Sequence, residues 1–145
     1  MKALITGASS GIGKEIAKQL DKLGYDLILV AKTETKLLET KKELKNNIQI
    51  ITLDLSKEEN CYKLYEKVKN DNIDVLINNA GFGVYGEFTN TDLTQELDMI
   101  NTNIKAVHIL TKLFLKDFSK KNNGYILNTA STAAFFTGPL MSSYY

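Results

Sequence analysis

The chain of 145 residues has one cysteine, one histidine and one proline, and each scarcity narrows what it can be. Cys61, without a partner, can form no internal disulfide. It falls in a helical pattern, reads as a small buried apolar residue, and fits a reducing, cytoplasmic setting. His108, within Val107-His108-Ile109-Leu110, has no acid or cysteine partner in a readable motif, and no cluster carries metal-ligand spacing. Neither sign of charge is in excess: 18 Lys and Arg face 17 Asp and Glu, a formal net charge of +1. A nucleic-acid partner and a membrane surface are therefore not expected. No apolar run approaches a membrane span, and no signal peptide precedes the first apolar run. Repeats, low-complexity tracts and Pro/Gly/Ser-rich linkers are also missing, so residues 1–145 read as a single domain able to bury a sizeable core.

What the chain does contain is alternation. Short apolar runs at about 2–5, 26–31, 48–53, 73–77 and 124–129 alternate with helical patterns at about 11–23, 34–46, 57–70 and 96–119. Strands separated by helices imply right-handed crossovers and a parallel sheet covered on both faces, an α/β doubly wound fold. The expected strand order is 3-2-1-4-5, with a ligand at the switch between strands 1 and 4. A five-stranded sheet of this kind would leave its last strand uncovered on one side.

The stretch Thr6-Gly7-Ala8-Ser9-Ser10-Gly11-Ile12-Gly13 follows the apolar Ala3-Leu4-Ile5 and opens a helix with Ile12, Ile16, Leu20 and Leu23 on one face. A strand turning into a helix through three glycines brings bare N–H groups and the positive end of the helix dipole to one place. Such a place favours a phosphate or pyrophosphate. The glycines fall at 7, 11 and 13, so the spacing is T-G-x-x-x-G-x-G rather than G-x-G-x-x-G. In this motif, and in Asn78-Asn79-Ala80-Gly81 after the fourth strand, the chain resembles the short-chain dehydrogenase/reductase family in its non-extended form. The resemblance covers the whole chain and implies a Rossmann-like NAD(P)-binding domain. Family members run considerably longer, so residues 1–145 are expected to be the N-terminal part of a longer chain.

The cofactor half can be followed residue by residue. A carboxylate after strand 2 would suit the ribose 2′-OH of NAD, but Val30-Ala31-Lys32-Thr33 ends in a lysine. A cation there suits the 2′-phosphate of NADP, so NADP(H) is the preferred cofactor and NAD the alternative. Glu34 stands two residues on. Asp54 and Leu55 end strand 3, at the edge where ligands bind. The resemblance implies that Asp54 contacts adenine, while the residue could equally cap the helix beginning near Ser56. It also implies that Asn79, Ala80 and Gly81 support the sheet and line the nicotinamide ribose. Thr6, Gly7, Ser9, Ser10, Gly11, Ile12 and Gly13 complete the expected cofactor set.

The chemistry falls to Asn103, Ser131 and Tyr144. Tyr144 lies thirteen residues after Ser131, the family's separation, and Asn103 matches its helix asparagine; Asn101 and Tyr145 are the competitors. Reducing a carbonyl by hydride puts negative charge on oxygen, and a tyrosine can supply the proton. A phenol's ordinary pKa of about 10 is high for such work near neutrality. The family places a lysine four residues after its tyrosine, past the last residue of this chain. The resemblance implies that Ser131 polarises the substrate oxygen, that Asn103 holds a proton-relaying water, and that Tyr144 also touches the cofactor. The implied activity is an NADP(H)-dependent oxidoreductase interconverting a small-molecule carbonyl and alcohol. A non-catalytic NAD(P)-binding or redox-sensing module on the same scaffold is the alternative. The helix near 96–119 is apolar nearly all round, and the family commonly pairs it between subunits, so a homodimer or homotetramer is expected.

Overall fold

The computed structural model describes residues 1–145. Five strands, β1 (Lys2–Thr6), β2 (Asp26–Ala31), β3 (Ile48–Thr52), β4 (Val75–Asn78) and β5 (Tyr125–Asn128), form one sheet in the order β3-β2-β1-β4-β5. All neighbours are parallel, with Leu4 opposite Ile28 and Leu76, and Asn78 opposite Asn128. The expected α/β fold and strand order are those found.

The apolar strands read as continuous runs because both faces of the sheet are covered. Alternate residues go to opposite sides. Ala3, Ile5, Leu27, Leu29 and Ile77 pack with Ala17 of α1 (Gly11–Lys22) and Leu37 of α2 (Glu34–Lys42). Leu4, Ile28, Val30 and Leu76 pack with Cys61 and Leu64 of α3 (Glu58–Val68) and with Leu110 and Phe114 of α5 (Val107–Lys120). Cys61 is fully buried, as expected, and burial pushes its thiol up to about 11.

Three expectations need correction. The long helix placed at 96–119 is in two pieces: α4 (Leu93–Ile100) and α5 are joined by a π-helical segment, Asn101–Ala106. It also starts earlier, because Asp92 accepts hydrogen bonds from the backbone N–H groups of Thr94 (2.7 Å) and Gln95 (3.1 Å). Helix α2 stops at Lys42 rather than 46, since the Asp21 carboxylate takes the N–H groups of Lys45 (3.1 Å) and Asn46 (2.9 Å) and turns the chain toward β3. The apolar face of α1 is only half engaged. Ile16 and Leu20 pack against the core beside Ala17, while Ile12 and Leu23 are exposed, and the small Gly13 and Ala17 are the residues buried against the sheet.

Strand β5 is covered on one side only. Ile126 packs against the α3–α5 core, whereas Tyr125 and Leu127 stay exposed on the other face. The uncovered last strand is as the sheet topology implied.

Candidate active site

The carboxyl ends of β1 and β4 meet at the switch in strand order, and hydrogen bonds tie them together. The buried Thr6 hydroxyl accepts from the backbone N–H groups of Asn79 (2.9 Å) and Ala80 (3.0 Å) and donates to the Ile77 carbonyl (3.3 Å). The Asn79 amide donates back to the carbonyls of Thr6 (3.1 Å) and Gly7 (3.3 Å), and its oxygen accepts from the Thr129 hydroxyl (3.2 Å). Asn79 is thus a three-way tie between β1, β4 and the end of β5. Asn78 performs a similar task below it, donating to Thr111 Oγ1 (3.0 Å) and Asn128 Oδ1 (2.8 Å).

The glycine turn then presents an open mouth. Gly11 has φ +52°, the region that favours glycine, and the space a Cβ would enter is empty. Gly13 is needed for the opposite reason: a Cβ there would drive into the Asn79 amide and the Gly7 carbonyl. Ser10 is the N-cap of α1 in extended conformation, yet its hydroxyl caps nothing, and no acid stands in the first turn. No side chain therefore caps the N–H groups at the helix start. Ser9 and Ser10 flank this mouth, and Ile12 projects to solvent beside it.

Around the mouth lie the other expected cofactor residues. Lys32 follows β2 directly, and its ammonium sits over the Phe82 ring, 5.7 Å from the centroid. The Asp54 carboxylate accepts the Ser56 N–H (3.0 Å), and the Asp54 carbonyl takes the Asn60 amide (2.8 Å). Asp54 therefore does shape the entry to α3, with one carboxylate oxygen in no hydrogen bond. Leu55, next to it, is buried in the α3 core.

Asn103 lies in the π-helical segment, a feature that often accompanies functional sites. Its side chain makes a two-way clamp on one peptide: Oδ1 accepts from the Phe82 N–H (3.1 Å) and Nδ2 donates to the Phe82 carbonyl (2.8 Å). A Cβ on Gly81 would come within 3.1 Å of Asn103 Oδ1, so the glycine permits the clamp. Each amide atom makes one bond to backbone, which leaves one N–H and one oxygen lone pair for a further partner. Ser131 caps the short 3₁₀ turn Thr132–Phe135, its Oγ accepting from the Ala133 N–H (3.1 Å). Tyr144 is held in a turn by its N–H on the Met141 carbonyl (2.9 Å), and its ring lies against Gly83 of the loop after β4. That loop is pinned to the same segment by the Gly86 N–H on the Leu140 carbonyl (2.7 Å).

The structure therefore brings Tyr144 to the loop that Asn103 clamps, at the carboxyl edge of β4 and β5 beyond which Ser131 lies. It makes no direct hydrogen bond between the Ser131 and Tyr144 hydroxyls. Phe82 and Thr129 are the functional-edge residues that motif reading missed. Phe82 could have been noticed from its place immediately after Asn79-Ala80-Gly81; nothing local marked Thr129.

The family model of short-chain dehydrogenases matches residues 1–145. The chain belongs to that family. A very-long-chain 3-oxoacyl-CoA reductase of Kluyveromyces lactis is 36% identical over 155 residues, covering 98% of this chain and 45% of the relative. Among solved structures, a metagenomic short-chain oxidoreductase in complex with NADP is 29% identical with a TM-score of 0.93, over 99% of this chain and 68% of that one. A short-chain dehydrogenase from Sphingobium yanoikuyae in complex with NADPH is 30% identical with a TM-score of 0.89, over 99% and 58%. The chain spans about half the length of the curated relatives it matches. No helix is long and apolar enough to cross a membrane.

Proposed function

We propose that this chain is the cofactor-binding and catalytic portion of an NADP(H)-dependent reductase that interconverts a carbonyl and an alcohol. The observation that carries the reading is the mouth of α1: an open turn at Gly11, uncapped N–H groups and no acid in the first turn, a cradle that fits a dinucleotide pyrophosphate. Lys32 at the end of β2 supports NADP over NAD, and similar chains of known structure hold NADP or NADPH. The nicotinamide, when bound, supplies or accepts the hydride.

This chain's own residues do the rest. Thr6 and Asn79 hold the two strand ends at a set separation under the cofactor. Tyr144 gives its phenolic proton to the substrate oxygen as charge develops there, and takes it back in the reverse direction. Ser131 donates a hydrogen bond to the same oxygen and keeps its proton, while its lone pair serves the Ala133 N–H. Asn103 acts through backbone, fixing the Phe82 peptide and so the loop against which Tyr144 rests. A 3-oxoacyl thioester is the first substrate to try, given the reductase named among the relatives and the exposed Phe135 and Phe136 beyond Ser131.

In the full-length protein, Tyr144→Phe should lower turnover by about 10²–10⁴-fold while NADPH affinity stays near wild type. Retained turnover would remove Tyr144 from the role. A wild-type protein that binds NADPH but reduces no carbonyl would instead favour the non-catalytic, redox-sensing reading.

A further inference from the structure

Lys32 and Phe82 belong to opposite sides of the cofactor groove. Lys32 follows β2, Phe82 lies four residues past β4, and β1 runs between those strands. Their contact, ammonium to ring centroid at 5.7 Å, therefore passes over the carboxyl end of β1, where the glycine turn begins. Lys32 takes part in none of the chain's ion pairs, Glu34 included. The nearby Asp98 carboxyl is occupied by Lys57 at 2.9 Å, which is the main cause holding it below its usual range; the Lys32 charge adds the smallest part. Asn103 grips the Phe82 peptide by both N–H and carbonyl, which anchors the backbone that carries the ring. A ring on a clamped backbone and a cation in no ion pair meet over the end of β1.

We propose that the Lys32–Phe82 contact is a strap across the adenosine half of the groove, which any nucleotide must open in order to bind. The inference rests on the groove being a dinucleotide site. A ligand with a 2′-phosphate offers the displaced ammonium a new partner; a ligand without one leaves it unpaired. The strap thus lowers the affinity for both kinds of nucleotide, and the phosphate contact of Lys32 alone separates them. Phe82 sets affinity, and Lys32 sets both affinity and choice.

Two fragments test this by calorimetry on the full-length protein: 5′-AMP and 2′,5′-ADP. Phe82→Leu should tighten both by the same factor, about two- to fivefold, the range of an exposed cation–π contact, and leave their affinity ratio unchanged. Lys32→Met should tighten 5′-AMP by a similar factor and abolish the preference for 2′,5′-ADP. The double variant should bind 5′-AMP no tighter than either single one, because both remove the same contact. Unchanged or weakened 5′-AMP binding in both single variants, or additive gains in the double, would overturn the strap. A wild-type ratio near one would overturn the NADP preference instead and leave the 5′-AMP comparison to judge the strap. If neither fragment binds the wild-type protein, the site and the strap fall together.

Discussion

Thr6 shows how much of the site rests on single atoms. One hydroxyl satisfies two N–H groups of the turn after β4 and donates to a carbonyl, and the residue is 2% exposed. Valine has nearly the same shape but can accept nothing, so Thr6→Val would leave the N–H groups of Asn79 and Ala80 without that partner. Each such group costs about 1–3 kcal/mol. Stability should fall by about 2–4 kcal/mol in urea unfolding, with the midpoint lower and the slope unchanged. A loss below about 1 kcal/mol would mean that the turn re-pairs elsewhere and that Thr6 is not its anchor. At this scale the sequence was readable where geometry is local: the glycines at 7, 11 and 13 marked the tight turn into α1, where Gly7 and Gly11 take positive φ and Gly13 meets Asn79. It was unreadable where a side chain answers to a distant backbone. The clamp of the Asn103 amide on the Phe82 peptide, twenty-one positions away, could not be read from its motif. Spacing alone does not show which atoms of a motif residue remain free.

Between elements, α3 and α5 are joined on the lower face of the sheet by one polar bolt within an aromatic cluster. The Tyr65 hydroxyl donates to the Asp117 carboxylate at 2.6 Å, and its ring meets Phe114 edge to face at 5.5 Å. The Asp117 hydrogen bond, with burial behind it, pushes the Tyr65 phenol up to about 12. Because the folded value is raised, the bolt's contribution is fully present below the unfolded value near 10 and disappears as pH climbs from about 10 to about 12. Tyr65→Phe should therefore lower stability by about 1 kcal/mol at neutral pH. The gap between wild type and variant should close over that alkaline window. A gap that stays constant to the alkaline end would deny the Asp117 contact its role. Element types were legible from the alternation of apolar runs because both faces of the sheet are buried and every strand shows it. The break at Asn101–Ala106 was not, since no proline or glycine marks it; a π-helical segment inside an otherwise regular helical pattern is settled by packing around it. The α1 face was legible in part. Ile16 and Leu20 pack against the core as their spacing suggested, but the close approach at Gly13 and Ala17 leaves Ile12 and Leu23 outside it.

For the molecule as a whole, the unusual surface is the outer side of α4 and α5. Met99, Leu110, Phe114 and Phe118 turn inward, as a covering helix requires. Leu93, Leu97, Ile100 and Ile104 are nonetheless exposed, and Leu115 continues the same heptad-like spacing further along. Successive separations of four, three and four residues keep these side chains on one stripe. Such a stripe in water favours burial against a like stripe, and two copies related by a two-fold axis would satisfy it with a single self-complementary patch. A stable interface of this kind buries about 800 Å² per partner, which a stripe along two consecutive helices can supply. The full-length protein is therefore expected to run as a dimer, or as a tetramer built from such dimers, in light scattering at micromolar concentration. Leu97→Glu combined with Ile104→Glu should convert it to a monomer with the same far-ultraviolet circular dichroism, since neither side chain contributes to the buried core. Fragment binding at the α1 mouth should survive that change, because the stripe and the glycine turn occupy different regions of the chain. A monomeric wild type would refute the pairing, and an unaltered mass in the double variant would move the interface to another face.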